Sequence, residues 1–325
     1  MTRRFATIAA GAALLLAPLA QAQLYTMTKD QLVELTKQYT GERFADGRPK
    51  IADNLIERAK GMSAEEVWSG LNAAPAPQAA PAGGQAAGRG GAGGGQAGGG
   101  GGRGGGQAWR NQYDDGWQIL HPKLRMVGRA FTVQFMPARP DLDSVVNAKA
   151  RVSNQTAIDL LQPGDVMVVD LFGKGEGGTI VGDNLFYYIM KTTKNAGLVV
   201  DGAIRDLTGI QDMLMPAYFR KTHPSAIANV SLTGINVPVR IGAATVMPGD
   251  MVFGDAEGIY FVPPHLVQGI VDAADTVHVH DEWTRMKFDE GKYKSSDIYG
   301  SPRDPALRQE YNEYLKKRLE EIRKK

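Results

Sequence analysis

Cysteine is absent from the 325 residues of the chain. Its absence excludes disulfides, thiolate metal sites and a cysteine nucleophile. Stability must therefore come from an ordinary hydrophobic core. After the first 22 residues the sequence also lacks an apolar run long enough to span a bilayer, which predicts no membrane association for the remainder of the chain.

An excess of charge of either sign is missing as well. The chain carries 37 Lys and Arg against 35 Asp and Glu, and both residues of the surplus lie within positions 1–22. Without that segment the formal charge is zero. A protein that binds the phosphate backbone of a nucleic acid needs a basic surface. The composition therefore predicts no nucleic-acid partner.

The first 22 residues read as a secretory signal. Arg3 and Arg4 precede a short apolar run from Ala6 to Leu19, and Ala20-Gln21-Ala22 is a small-x-small cleavage site. A residual membrane anchor is the alternative, but the run is short for a span. The pattern predicts export to the periplasm or the medium.

Glycine is concentrated in one place: 16 of the 40 glycines lie between Gly83 and Gly106. Such a segment buries too little apolar surface to offset its ordering entropy, and we interpret it as a spacer that reaches about 25–30 Å on average. The predicted division is a signal peptide (1–22), a helical segment (23–74), a Pro/Gly-rich linker (75–108), an α/β domain (109–290) and a C-terminal helical tail (291–325).

Helix-start signals occur twice before the linker. Thr28 with Gln31, and Ser63 with Glu66, each have the spacing of a capping box ahead of apolar residues. The segment is too small for a core of its own. We therefore expect its helices to pack on the main domain.

Beyond the linker, strands and helices alternate. The apolar runs at 165–172 and 197–201 predict strands buried on both faces, and 185–191 between them predicts a helix. β-Branched residues with glycine and proline breaks at 230–246 predict antiparallel strands. Long helices are expected at 264–289 and 305–325. This pattern defines an α/β fold.

The pair Arg205-Asp206 follows directly after the second buried strand. A guanidinium can hold a carboxylate by two bonds, and an adjacent aspartate can hold a hard cation such as Mg²⁺. Together they suit a 2-oxo acid, whose keto oxygen the cation polarises. An ordinary salt-bridged turn has the same spacing and remains the alternative.

Gly182-Asp183-Asn184-Leu185 opens the helix that precedes this strand. The backbone N–H groups of a first helical turn have no intrahelical partners and are donors for a substrate carboxylate. Simple capping by Asp183 or Asn184 is the alternative.

Two other features are weaker candidates. Gly173-x-Gly175-x-Gly177 resembles a nucleotide or S-adenosylmethionine loop, but a dinucleotide loop enters a helix directly. Here Thr179 to Val181 intervenes, which argues against such a cofactor. His223 lies in a loop after the arginine strand and could approach the Arg205-Asp206 pair, although a surface histidine is the simpler interpretation.

Taken as a set, the motifs resemble the RraA-like family, which includes the 4-hydroxy-4-methyl-2-oxoglutarate aldolases. The resemblance covers roughly Gly116 to Pro264 and rests on Gly128-Arg129-Ala130, Pro163-Gly164-Asp165-Val166, Val168-Val169-Asp170, Gly182-Asp183-Asn184-Leu185, Asp201-Gly202-Ala203-Ile204-Arg205-Asp206, and Pro248-Gly249-Asp250 followed by Asp255-x-x-Gly258.

The resemblance implies an αββα-type, swivelling-domain-like sandwich assembled as trimers or hexamers. It implies class II aldolase chemistry that yields pyruvate from a 4-hydroxy-2-oxo diacid, with oxaloacetate decarboxylation as a side reaction. Asp206 is then the anchor for Mg²⁺ or Mn²⁺, Arg205 contacts the substrate, Gly182 to Leu185 bind its carboxylate, and Asp183 matches the family's upstream acid.

One departure bears on the activity. The aldolases place an acid beyond the Arg-Asp pair where this sequence has Gly209. Glycine supplies no ligand, although Asp212 could substitute. Two hypotheses follow: an exported, metal-dependent lyase, or a non-catalytic module on the same fold that binds small acids or another protein.

Overall fold

A computed structural model describes residues 25–75, 109–148 and 151–324 of the chain. The predicted signal peptide and nearly all of the predicted linker lie outside these ranges. The predictions made for those two segments therefore stay predictions.

The helices and strands follow the chain in a largely alternating order. The helices are α1 (Lys29–Leu35), α2 (Asp53–Ala59), α3 (Ala64–Ala73), α4 (Pro140–Val146), α5 (Asn154–Ile158), α6 (Asp183–Thr193), α7 (Leu207–Ile210), α8 (Pro264–Asp289), α9 (Ser295–Ile298) and α10 (Pro305–Arg323). The strands are β1 (Tyr25–Thr26), β2 (Tyr113–Asp114), β3 (Gln118–Ile119), β4 (Met126–Pro137), β5 (Asp165–Asp170), β6 (Gly197–Ile204), β7 (Ala217–Thr222), β8 (Val230–Ile235), β9 (Val239–Ile241), β10 (Ala244–Val246), β11 (Met251–Gly254) and β12 (Ile259–Val262).

One mixed sheet organises the described residues, with strand order β2-β12-β11-β4-β5-β6-β7-β3. Strands β4 to β7 are parallel neighbours, while β11 pairs antiparallel with β4. All residues of β5 and β6 are buried, as their continuous apolar runs predicted. The predicted α/β class is confirmed.

The two faces of this sheet are covered differently. Helices α5, α6 and α7 pack on one face of β4 to β6, and α2, α3 and α8 cover the same face at β11 and β12. The antiparallel pair β9–β10 packs on the opposite face. The predicted antiparallel strands within 230–246 are thus confirmed.

Two strand boundaries differ from the predicted ones. Strand β5 ends at Asp170 rather than Phe172, because the Asp170 carboxylate accepts a hydrogen bond from the Phe172 N–H at 3.0 Å and Phe172 turns into a left-handed conformation, with φ 43°. Strand β6 continues to Ile204, three residues past its predicted end. The Arg205-Asp206 pair therefore follows β6 without any intervening residue.

The N-terminal segment is part of the core, as its small size predicted. Ile51, Val67 and Leu71 are buried in one cluster with residues of β4, β11 and α8. Both predicted capping boxes are present, at the starts of α1 and α3. Burial of this apolar face explains how short helices of 7 to 10 residues hold their positions.

A buried ion pair ties the same segment to the sheet. Nη1 of Arg48 lies 3.0 Å from Oδ1 of Asp165, the first residue of β5, and both side chains are fully buried. Nε of Arg48 also bonds Asp46 at 2.8 Å, and its guanidinium stacks over the rings of Phe44 and Phe131. Burial raises the pKa of the Asp165 carboxyl despite the attraction of Arg48.

A histidine-carboxylate pair joins α3 to α8. Nε2 of His278 lies 2.9 Å from a carboxylate oxygen of Glu66. The hydrogen bond to Glu66 raises the pKa of His278 above its usual value. For Glu66, burial pushes the pKa up, but bonds from His278 and Ser63 outweigh it and the pKa is lowered.

We expect this contact to weaken as the pH rises. A raised histidine pKa adds stability that is fully present below about pH 6.5, the unfolded value, and lost as the pH climbs through the folded value. The His278 side chain is 40% exposed, so solvent screens the pair and its share of the free energy of unfolding should stay below about 1 kcal/mol. Urea unfolding at pH 6 and pH 8.5 measures it: wild type should lose more stability than His278→Gln, and equal losses would contradict the assignment.

The two ends of the predicted linker meet. Nε1 of Trp109 donates a hydrogen bond to the carbonyl oxygen of Pro75 at 3.2 Å. Positions 75 and 109, which flank residues 76–108, are therefore neighbours in the structure.

The C-terminal helices pack against each other. Trp283 of α8 is fully buried with Ile298 and Leu307, and Tyr311 and Tyr314 of α10 pack against this cluster. The helix predicted at 305–325 is thus present as α10 and packs on α8 through these residues. Across the three described ranges, no helix combines the length and apolar character needed to cross a membrane.

Candidate functional site

The candidate site lies where β6 ends and α6 begins. Helix α6 starts after Gly182, and Arg205 follows the last residue of β6. The Arg205 N–H donates to the carbonyl of Val181 at 3.2 Å, which fixes the two segments side by side. Because β5 and β6 are parallel, the helix start after β5 and the residues after β6 share the carboxyl edge of the sheet, where α/β folds commonly bind ligands.

The Arg205-Asp206 pair contacts this helix start directly. A Cβ on Gly182 would overlap Oδ2 of Asp206 and would lie 3.0 Å from Nε of Arg205. Glycine at 182 thus gives both charged groups room to reach the backbone at the start of α6. The structure brings together the residues that the sequence proposed as a site.

Asp206 adopts an uncommon backbone conformation. Its φ of 62° is left-handed, and its carbonyl accepts the N–H of Gly209 at 2.8 Å at the start of α7. Aspartate tolerates this region better than most residues. Nε of Arg205 lies 3.4 Å from Oδ2 of Asp206, and the two side chains are 39% and 43% exposed. This loose, solvent-accessible pair leaves most of the donors and acceptors available.

Asp183 lies next to the position of the missing family acid. A Cβ on Gly209 would sit 3.2 Å from Cβ of Asp183 and 3.6 Å from its Oδ2. Oδ1 of Asp183 accepts the N–H of Asn184 at 2.7 Å. Asp183 is the first residue of α6, and its N-cap, Gly182, makes no side-chain capping bond. The other oxygen of Asp183 faces the side where an acid at 209 would stand.

Asn184 and Leu185 occupy different environments in the first turn of α6. Asn184 is exposed, whereas Leu185 is half-buried against the core cluster beneath the helix. The amides of Asp183 and Leu185 belong to a first turn and have no intrahelical acceptor. The turn therefore offers backbone donors for an anion, while Phe186, Ile189 and Thr193 are the residues that α6 buries.

These residues supply only some of the ligands that a divalent cation needs. In the described part of the chain, no three His, Asp, Glu or Cys side chains converge closely enough to hold a metal. Mg²⁺ is commonly held by one or two carboxylates, with water and substrate completing the shell. Asp206, with Asp183 nearby, fits that pattern, and a cage made only of protein ligands does not.

The glycine-rich loop after β5 has a structural role. The N–H of Gly173 donates to the carbonyl of Asp201 at 2.9 Å, and the carbonyl of Gly178 accepts the N–H of Ala203 at 3.0 Å. A Cβ on Gly178 would overlap the carbonyl of Lys174. Within the motif itself, Gly173 and Gly177 adopt the left-handed conformation, each with φ 72°, and a Cβ on Gly177 would overlap the carbonyl of Ala228. The path of this loop along β6 therefore accounts for glycine at these two positions.

His223 lies close to the candidate site through its backbone. Its N–H donates to the carbonyl of Ile204 at 3.1 Å, one residue before Arg205. Its Nδ1 pairs with Oγ of Ser225 at 2.9 Å, and its carbonyl accepts the hydroxyl of Thr179. The sequence predicted that His223 could approach the site. It did not predict the hydrogen bonds of His223 with Thr179 and Ser225, because neither of these residues belongs to a motif.

The fold and the site define an α/β protein in which an Arg-Asp pair lies against the start of a helix. The RraA-like family, described as Aldolase/RraA, matches residues 106–261, a range that contains every residue of the candidate site. The chain belongs to the RraA-like family.

Three relatives illustrate the match. A protein of Halalkalibacterium halodurans named "Putative 4-hydroxy-4-methyl-2-oxoglutarate aldolase" is 32% identical over 158 residues, 49% of this chain and 69% of that protein. One of Ectopseudomonas mendocina with the same name is 34% identical over 111 residues, 34% of this chain and 66% of that protein. The crystal structure of Streptomyces coelicolor RraAS2, described as an unusual member of the RNase ES inhibitor RraA family, superposes with a TM-score of 0.53 at 26% identity, covering 74% of this chain and 98% of that one.

Proposed function

We propose that the protein is a divalent-metal-dependent lyase that releases pyruvate from a small 4-hydroxy-2-oxo or 2-oxo dicarboxylic acid. The observation that carries the proposal is the contact of Arg205 and Asp206 with Gly182 at the start of α6. The names of the aldolase-type relatives support the same class of reaction.

Each residue has a distinct task in this proposal. The amides at the start of α6 bind the carboxylate next to the keto group, and the Arg205 guanidinium holds negative charge that develops or resides elsewhere on the substrate. Asp206 would hold Mg²⁺ or Mn²⁺, which when bound supplies Lewis-acid polarisation of the keto oxygen.

Asp183 acts as the general base for the proton of the substrate's 4-hydroxyl group. Its Oδ2 makes no bond to Asn184, so it can accept the proton of the 4-hydroxyl group, directly or through water. As the C3–C4 bond breaks, the oxygen of the substrate's 4-hydroxyl group becomes the carbonyl oxygen of the second product. The electron pair remains on the pyruvate fragment as an enolate, which a proton from solvent converts to pyruvate.

The proposal also includes assembly of the chain into oligomers and its export from the cytoplasm. Tyr187, Tyr188, Leu207 and Leu214 are exposed apolar side chains on α6 and around α7, next to the candidate site. A second copy of the chain could cover them, in line with the trimers or hexamers that the family resemblance implies. Residues 1–22 would direct this assembly out of the cytoplasm.

Replacing the proposed metal anchor should abolish most activity. We expect Asp206→Ala to lower kcat/KM for pyruvate release by at least about 100-fold, since loss of a bound cation removes several kcal/mol of charge stabilisation. Chelator should lower wild-type activity comparably. The assay is pyruvate release from oxaloacetate and 4-hydroxy-2-oxo diacids with added Mg²⁺ or Mn²⁺.

Asp212→Ala tests whether Asp212, an exposed carboxylate a few residues away, replaces the acid that the family has at position 209. It should retain near wild-type activity. If it inactivates the enzyme as Asp206→Ala does, Asp212 substitutes for the missing acid. If Asp206→Ala has wild-type activity with and without chelator, Asp206 does not hold a catalytic metal.

Gly209 favours a second candidate, a module that binds small acids without turning them over. A thermal-shift series with pyruvate, oxaloacetate and 2-oxoglutarate, with and without Mg²⁺, separates the two functions. Stabilisation by an acid with no product formed identifies the binding module.

A further inference from the structure

A cavity lies at the edge of the parallel strands opposite to the candidate catalytic site. Its volume is about 280 Å³, and it is enclosed by α2, the start of β4, the turn before β5 and the end of α6. Helix α6 has 11 residues, so about 16 Å of helix separates this cavity from the candidate catalytic site. The charged residues that line it are Asp53, Glu57, Lys60, Arg125, Arg129 and Lys194.

Arg129 places an unused donor at the wall of the cavity. Its side chain is only 3% exposed. Nε and Nη2 bond the carbonyl of Ile51, and Nη2 also bonds Asp53. Nη1 has no hydrogen bond to any described residue, and it lies 2.7 Å from where a Cβ on Gly164 would be. Glycine at 164, with φ 83°, leaves the approach to Nη1 open.

Two further cations lack a carboxylate partner. Arg125 donates one bond from Nη1 to the carbonyl of Lys60 at 3.1 Å, and neither Arg125 nor Lys194 forms an ion pair within the described ranges. Lys194 ends α6 in a left-handed conformation, with φ 57°.

The charges around the cavity do not balance. Asp53 pairs with Arg129 and Glu57 pairs with Lys60. The bond from Arg129 holds the pKa of Asp53 below its usual range, with the fields of Lys50 and Lys194 acting in the same direction. Four cations against two carboxylates leave the cavity with a net charge of +2.

We propose that this cavity binds a phosphate group, as inorganic phosphate or as a small phosphomonoester. A dianion neutralises the two unpaired cations. The guanidinium edge of Arg129, the fork of Arg125 and the ammonium group of Lys194 line one cavity from two segments, the start of β4 with the residue before it and the end of α6. Several cationic N–H donors at one place suit a phosphate group, which accepts hydrogen bonds through all of its oxygens. The volume accommodates such an ion with bridging water.

Binding at this position joins three parts of the fold. Helix α2 belongs to the N-terminal segment, Arg129 to β4 and Lys194 to the end of α6. The bound anion therefore stabilises the docked N-terminal segment. This effect does not depend on catalysis, so the inference survives or fails separately from the proposed lyase activity.

The test uses the full chain and inorganic phosphate at constant ionic strength, with sodium chloride as the reference salt. Phosphate should raise the Tm of the wild-type protein in a saturable way. Isothermal titration should give a Kd at least tenfold weaker for Arg125→Gln/Lys194→Gln. Glycerol phosphate in place of phosphate shows whether a free ion or a monoester binds more tightly.

Arg285→Gln/Lys316→Gln is the matched control, because it removes two exposed cations from α8 and α10. It should bind phosphate as the wild type does. The proposal is overturned if phosphate leaves the wild-type Tm where sodium chloride does, or if both double variants weaken binding equally, which indicates a general charge effect.

Discussion

Gly182→Ala should lower kcat/KM for pyruvate release by about 100-fold while leaving the folded protein stable. The added Cβ would overlap Oδ2 of Asp206 and crowd Nε of Arg205. Both atoms are at the ends of exposed side chains, so the pair can swing away at little cost to the fold. A displacement of about 1 Å in a positioned group can cost about 100-fold in rate.

Gly269→Ala is the control for this experiment. Gly269 lies within α8, and a Cβ there would meet nothing within 4 Å, so the substitution should be neutral or slightly stabilising in a helix. Steady-state kinetics and thermal unfolding of both variants decide the matter. Full activity of Gly182→Ala would show that the contact between Gly182 and Asp206 has no part in the reaction.

Arg48→Met should destabilise the protein by about 3–5 kcal/mol, because it leaves a buried carboxylate without its partner. Asp165 is fully buried, and Arg48 is the cation that contacts it. Methionine keeps much of the side-chain volume between the rings of Phe44 and Phe131. The free energy of unfolding in urea at pH 7 measures the loss.

The double variant Arg48→Met/Asp165→Asn separates charge from packing. Asparagine retains an oxygen for the hydrogen bond from the Gln162 N–H, which Asp165 accepts at 2.9 Å. We expect the double variant to recover most of the lost stability, since neither position 48 nor position 165 then carries a buried charge. If it is as unstable as Arg48→Met alone, packing around Arg48 rather than the ion pair accounts for the effect.

Local patterns predicted the elements well. The apolar runs predicted β5 and β6, and the spacing of Ser63 and Glu66 predicted the start of α3, because burial on two faces and capping depend on residues close in sequence. The Arg205-Asp206 pair and the Gly182 turn were predicted as a site for a similar reason: parallel neighbouring strands bring their carboxyl ends together.

The pairing of residues that are far apart in the chain was not predicted from the sequence. Arg48 and Asp165 are 117 residues apart, and neither lies in a pattern that names the other. The left-handed conformation of Asp206 also went unpredicted, because aspartate adopts it only where the surrounding chain imposes it. The cavity proposed to bind phosphate is of the same kind, since Lys194 joins Arg125 and Arg129 in its lining only after α6 has packed.

The hydrogen bond between Trp109 and Pro75 has a consequence for how this chain can change in evolution. Since both ends of the intervening stretch are fixed at one point, its length is free of any distance that it must span. Doubling the number of residues in such a loop adds only about 0.6 kcal/mol of closure entropy. Repeats of glycine and alanine can therefore be gained or lost here by replication slippage, while the arrangement of β4 to β7 and the residues at their carboxyl edge stays the same.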